Sequence, residues 1–131
     1  LSAVKIYQSD WFSQVKYNKF FDIIVSNPPY IDKDDHHLVE GDVRYEPLSA
    51  LVASDNGFSD IKKIAKEAQS YLKNNGALYL EHGFEQAEGV RKILNQLDYQ
   101  SIETIKDYSG NDRVTCAVFI AINNNNNKDF L

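Results

Sequence analysis

The chain has 131 residues, 43% of them hydrophobic and 25% charged, with a formal net charge of −5 from 14 basic and 19 acidic side chains. That is one domain of ordinary globular composition, which excludes wholesale disorder and a collagen-like fibre; no apolar run approaches the roughly 20 residues of a membrane-spanning helix. The acidic balance argues against extended nucleic acid, which needs a basic footprint, and the single Cys116 among apolar neighbours reads as a buried thiol in a reducing cytoplasm.

Residues 4–7 (Val-Lys-Ile-Tyr) form a short predicted strand that stops at Gln8-Ser9-Asp10. Residues 20–26 form a stronger one. Its near-continuous apolar character predicts cover on both faces, and Asn27-Pro28-Pro29 ends it. Residues 31–53 lack a clean period, carry turn formers and charge, and read as a long functional loop with short helical pieces. From residue 59 to residue 73 the period is helical. Ile61, Ile64, Ala65, Ala68 and Leu72 share one face, while Lys62, Lys63, Lys66 and Glu67 point away. Gly57 precedes this helix, and Asn75-Gly76 is the predicted stop.

Residues 77–81 are the next strand, and residues 84–97 a second helix with Phe84, Ala87, Val90, Leu94 and Leu97 at helical spacing. Residues 101–106 and 113–122 are strands. The last is apolar on both faces, so it belongs inside a sheet. The six residues 107–112 are too few for a crossover helix, so the last two strands pair antiparallel. Alternating strands and helices define an α/β domain with a mostly parallel sheet and an antiparallel last strand. Five asparagines from Asn123 to Asn127 cannot pack a core, so the domain is assigned to residues 1–122 and a disordered tail to residues 123–131.

The motif that carries chemistry is Asn27-Pro28-Pro29-Tyr30, directly after the apolar strand. Each proline forces the residue before it out of the helical region, so the chain leaves the strand extended and stiff. Ligands of open α/β sheets bind outside the carboxyl ends of strands, where this motif falls. The Asn27 carboxamide oxygen and the Pro28 carbonyl offer two acceptors to one planar NH2 group, and Tyr30 a ring to stack on it. Such a pair suits methyl transfer to an amide or aryl amine, a poor nucleophile whose lone pair must be oriented. The plainer reading of Asn-Pro-Pro is a strand terminator.

These residues resemble the signature of S-adenosylmethionine-dependent amino methyltransferases. Residues 41–51 (Gly-Asp-Val-Arg-Tyr-Glu-Pro-Leu-Ser-Ala-Leu) with Asp55-Asn56-Gly57 are similar to a loop of the release factor glutamine methyltransferases. Glu81-His82-Gly83 with Gln86, residues 107–114 (Asp-Tyr-Ser-Gly-Asn-Asp-Arg-Val) and Gln8-Ser9-Asp10-Trp11-Phe12 match the same family, so the resemblance runs from residue 5 to residue 119. It implies methylation of the glutamine amide in the Gly-Gly-Gln motif of class I peptide chain release factors. It also implies that Asn27, Pro28, Pro29 and Tyr30 bind that amide, with Asn27, Pro28 and Tyr30 at the reacting centre. Asn27 would lie near the methyl donor, Trp11 against its adenine, and Asp10 beside Trp11.

The resemblance also implies a class I methyltransferase (Rossmann-like) sheet of order 3-2-1-4-5-7-6. Residues 4–7 would be its third strand and residues 20–26 its fourth. No glycine-rich cofactor turn precedes Asn27, since all six glycines lie downstream. The first two strands are therefore expected to be missing, with the chain a C-terminal portion, inactive by itself, whose bare fourth strand invites self-association. Two other functions stay open: a methyltransferase of exocyclic amines in nucleic acid, or a catalytically dead packing domain.

Smaller signals read as structural. His36-His37 are adjacent loop residues and make a poor metal site. His82 and Glu81 sit at a strand end where capping is the commoner role. The Lys62, Lys63 and Lys66 cluster is a solvated helix face.

Overall fold

Two helices and four strands of the main sheet follow the apolar periodicity of the sequence, with boundaries that tertiary pairing has moved. The computed structural model describes residues 4–16, 18–28 and 57–121, with the backbone alone of residues 31–32 and 52–53. The strands are β1 (Phe21–Ser26), β2 (Ile31–Asp32), β3 (Val52–Ala53), β4 (Leu72–Glu81), β5 (Gln100–Lys106) and β6 (Asp112–Phe119). The helices are α1 (Ser59–Ala68) and α2 (Ala87–Gln96), the latter entered through a 3-10 turn, Phe84–Gln86. Of the loop expected at residues 31–53, residues 33–51, including Arg44 and Glu46, lie outside the described residues, as does the tail at 123–131.

The main sheet has the order β1-β4-β6-β5. β1 pairs parallel with β4, and β6 runs antiparallel to both β4 and β5. β1, β4 and β5 thus share one direction and the last strand opposes them, as the short 107–112 connection predicts. This is the 4-5-7-6 portion of the expected class I sheet. β2 and β3 form a separate two-residue parallel pair.

α1 buries Ile61, Ile64, Ala65 and Ala68, the predicted stripe. It ends earlier than expected. The N–H groups of Gln69, Ser70 and Tyr71 donate to the carbonyls three residues back, tightening the last turn. The Tyr71 carbonyl then accepts from Phe20 and Phe21, and the Ser70 carbonyl from Lys19. Pairing with β1 captures the chain before Asn75-Gly76, so that dipeptide is no helix stop. It lies in an irregular stretch of β4, where Leu72 pairs with Phe21 but Ala77 already pairs with Ile23. Asn75 takes φ 72° there. Gly76 leaves no room for a side chain, because a Cβ would stand 2.9 Å from the Lys73 carbonyl oxygen and 3.1 Å from that of Phe21.

The core lies between the helices and one face of the sheet. Leu78 and Leu80 of β4, Ala117 of β6 and Tyr99 close against Ile61, Ile64, Val90 and Leu94. Tyr99 donates its hydroxyl to the Ala65 carbonyl at 2.6 Å, which satisfies a polar group inside the apolar layer. Both helices pack on this face, in contact with one another. The opposite face carries Ile23, Val25, Tyr79, Cys116 and Val118 in register. Ile23 is 58% and Val25 75% exposed. The expectation that residues 20–26 are covered on both faces is therefore corrected: among the described residues, helices cover one. Cys116 is half-buried rather than buried, and that partial burial raises its thiol above the usual range.

Residues 4–7 are not a strand. Val4, Ile6 and Tyr7 are exposed, Ile6 by 91%. A strand needs a neighbour for its backbone groups, and the sheet places none beside them.

Candidate functional site

Parallel pairing brings the functional residues to one edge. Ser26 pairs with Leu80, so Asn27 and Glu81 leave the sheet at the same end. β5 finishes and β6 begins at this end too, because Glu81 pairs with Val114 and Lys106 with Asp112. The rim therefore consists of residues 27–28, 82–86 and 107–111, at the carboxyl ends of the three codirectional strands.

Pro28 is fully buried while Asn27 is exposed. The ring is thus fixed in the domain, and the carboxamide before it faces out, held extended by the proline. Pro29 and Tyr30 lie outside the described residues.

Beside Asn27, β4 ends in Glu81, which is half-buried, and is followed by His82, which is 0% exposed. His82 N–H donates to the Arg113 carbonyl at 2.9 Å, and the Arg113 guanidinium donates back to the His82 carbonyl at 3.3 Å. Gly83 N–H donates to Gln86 Oε1 at 2.9 Å, while Gln86 N–H donates to the Gly83 carbonyl at 2.9 Å. This reciprocal pair starts the turn into α2. Burial lowers the His82 pKa from its usual value, against the opposing influences of the Gly83 hydrogen bond and Asp112. The His82 backbone is thus tied to Arg113 where the strand ends.

The third part of the rim is a closed turn. The Asp107 carboxylate accepts from the N–H groups of Ser109 and Asn111 at 2.9 and 3.0 Å, and from Arg113 Nε at 3.4 Å. The Asn111 N–H bond is the largest reason that its pKa falls below the usual carboxylate range. Gly110, at φ 85°, takes the left-handed conformation that glycine adopts without strain. Lys106 donates to Asp112 at 2.8 Å and lowers that carboxyl as well.

Trp11 and Asp10 are placed elsewhere by the contacts around them. Residues 11–14 form a turn in which Ser13 N–H donates to the Asp10 carbonyl and Ser9 Oγ to the Trp11 carbonyl. Phe12 stacks on Tyr71 at 4.6 Å, and Tyr71 immediately precedes β4, at the end of the sheet opposite Asn27. Trp11 is half-buried against the core and Asp10 is exposed. The structure thus gathers Asn27, Pro28, Glu81 and His82, and does not join Trp11 or Asp10 to them. No cluster of three or more potential metal ligands occurs among the described residues. His36 and His37 lie outside them, and Lys62, Lys63 and Lys66 sit on the exposed side of α1. None of the described helices is long and apolar enough to cross a membrane.

A Rossmann-like sheet with an Asn-Pro exit at the carboxyl end of a parallel strand defines the class, a part of a class I methyltransferase domain. The solved structure of a protein-(glutamine-N5) methyltransferase (release factor-specific) from Alicyclobacillus acidocaldarius has this fold. It superposes with a TM-score of 0.50 over 78% of this chain and 50% of that chain, at 22% sequence identity. No family model matches the sequence. Curated relatives do. The release factor glutamine methyltransferase of Shewanella oneidensis is 54% identical over 93% of this chain, that of Pasteurella multocida 55% over 86%, and that of Escherichia coli 50% over 88%. The chain is thus a relative of the release factor glutamine methyltransferases, and it spans 42%, 38% and 41% of the lengths of those three proteins.

Proposed function

We propose that this chain carries the amide-binding lip of a protein-glutamine methyltransferase. The protein it serves transfers a methyl group from S-adenosylmethionine to the glutamine side chain of the Gly-Gly-Gln motif in class I peptide chain release factors. The observation that carries the reading is the exposed Asn27 on the buried Pro28 anchor, at the carboxyl end of β1.

A glutamine amide nitrogen is a weak nucleophile because its lone pair is delocalised into the carbonyl. Asn27 Oδ1 and the Pro28 carbonyl accept its two N–H bonds and turn the lone pair towards the donor. The contribution is orientation and preorganised electrostatics, which act at no reorganisation cost during the reaction. Tyr30, two residues on, stacks on the planar amide and Pro29 stiffens the lip. The amide nitrogen would give up one proton to water once it had gained the methyl group, so these residues supply orientation and no strong base is required.

S-adenosylmethionine supplies the electrophilic methyl group when bound. The described residues fit it only at the lip, where the Asn27 carboxamide offers a polar contact; Trp11 and Asp10, expected against the adenine, stand at the opposite end of the sheet. No glycine-rich turn precedes β1 to hold its amino-acid end. Residues 1–131 alone are therefore proposed to bind it weakly and to turn over poorly. The edge of β1, unpaired among the described residues, and its apolar face, with Val25 exposed, favour self-association of the chain. A reducing cytoplasm suits the single cysteine and a translation-factor partner.

Labelled methyl transfer, with a release factor and ribosomal RNA as alternative acceptors, tests the function in the catalytically competent protein bearing this sequence. Label on the release factor glutamine supports the proposal. Label on RNA alone would assign the motif to exocyclic amines, a reading that the net charge of −5 disfavours.

A further inference from the structure

A line of four side chains runs from the surface of α2, through the buried layer, to the lip beside Asn27. Arg91 Nη1 donates to Thr104 Oγ1 at 2.9 Å. Thr104 Oγ1 and Thr115 Oγ1 lie 2.8 Å apart. Thr115 Oγ1 lies 2.8 Å from His82 Nε2, and His82 Nδ1 lies 2.8 Å from the Gly83 carbonyl oxygen. Thr115 and His82 are both 0% exposed.

The two ends fix the direction of every proton between them. A guanidinium only donates and a carbonyl only accepts. Nδ1 must therefore carry a hydrogen for Gly83, since a bare Nδ1 would set two lone pairs against each other at 2.8 Å. A neutral ring then leaves Nε2 as an acceptor. Thr115 donates to it, Thr104 donates to Thr115, and Arg91 donates to Thr104, so all four links are made. Protonating the ring reverses both hydroxyls and strands the Thr104 hydrogen. It also adds a cation to a region that already holds Arg91 and Arg113, with Asp112 as the opposing charge.

We propose that His82 is a positioning residue, held as the neutral Nδ1–H tautomer by Thr115, Thr104 and Arg91, and that it fixes the Gly83 carbonyl and the Glu81–Gly83 turn beside Asn27. The tie works across the fold. Thr104 belongs to β5, Thr115 to β6, Arg91 to α2, and His82 follows β4, so four elements are pinned to one lip. The significance of the lip for catalysis rests on the proposed amide site; the tautomer and the coupling do not.

Nuclear magnetic resonance on the 15N-labelled 131-residue protein tests both. Long-range proton–nitrogen correlation is expected to show His82 Nδ1 protonated and Nε2 bare. Replacing Thr115→Val removes the donor to Nε2 at almost constant shape. It should speed hydrogen exchange at Gly83 N–H about tenfold, the scale of one lost buried hydrogen bond, and shift the Asn27 side-chain NH2 signals. Thr115→Ser, which keeps the hydroxyl, should restore both. An Nε2–H tautomer in the unaltered protein overturns the proposal even if Thr115→Val does not fold. So does a folded Thr115→Val protein with unchanged Gly83 exchange and Asn27 signals. These readouts need no methyl transfer, so an inactive protein would count against the amide reading and leave the network to be judged by its own result.

Discussion

At the residue scale, the proposed reaction rests on one side-chain and one backbone acceptor rather than on an acid or base. In the catalytically competent protein, Asn27→Ala should lower turnover by about a hundredfold, the usual loss when a preorganised polar group is removed. Donor binding, measured by calorimetry, should change much less. Retained turnover in that variant would remove Asn27 from the mechanism. His82 gives a pH signature of its own. Burial depresses its folded pKa below the usual 6.5, so the unfolded chain binds the proton more readily. Its contribution to stability is complete above about pH 6.5 and is lost as pH falls towards the folded value. One such proton changes stability by at most ~1.4 kcal/mol per pH unit. Urea unfolding at about pH 7.5 and about pH 5.5 should show this loss, and His82→Gln should flatten the slope between them.

At the scale of elements, the helix pair is held by a close approach. A Cβ on Gly89 of α2 would stand 2.4 Å from Phe58 Cζ, and Phe58 itself packs on the core at the start of α1. In an open helix, glycine to alanine would stabilise by up to about 1 kcal/mol. Here the steric effect opposes that gain, because the Phe58 ring must shift to admit the added methyl group. Gly89→Ala should cost roughly 1–3 kcal/mol, as overpacking does. The double variant with Phe58→Leu should recover part of the loss contributed by Gly89→Ala, which a double-mutant cycle by thermal denaturation measures. Strictly additive losses would mean that the two residues do not share the contact.

At the scale of the whole molecule, among the described residues, the sheet is covered by helices on one face and unpaired at one edge. Among the described residues β1 pairs only with β4, and its outward Ile23 and Val25 are largely exposed. Sedimentation velocity should therefore show concentration-dependent association of residues 1–131. Val25→Lys should weaken it about tenfold or more by placing a charge on the open strand. A monomer at every concentration would contradict this. Calorimetric titration of the same sample with S-adenosylmethionine should give weak or undetectable heat, since one carboxamide does not offset the cost of immobilising the ligand.

The sequence by itself determined the stripe of α1, the strand ending at Ser26, the antiparallel final pair and the Asn27-Pro28 exit. Each is written in neighbouring residues: a period of three to four, a proline after the strand, a connection too short for a helix. The tertiary structure alone decided where α1 stops, because the Tyr71 carbonyl goes to the N–H groups of Phe20 and Phe21. It also decided that residues 4–7 stay out of the sheet, because an extended segment needs a partner. Thr104 and Thr115 hinted at the network as polar residues on the inward side of two strands. Yet Arg91 to Thr104 is a step of 13 residues, Thr104 to Thr115 one of 11, and His82 to Thr115 one of 33. No local pattern spans such distances. Only antiparallel pairing and the seating of α2 bring the four groups within hydrogen-bond reach.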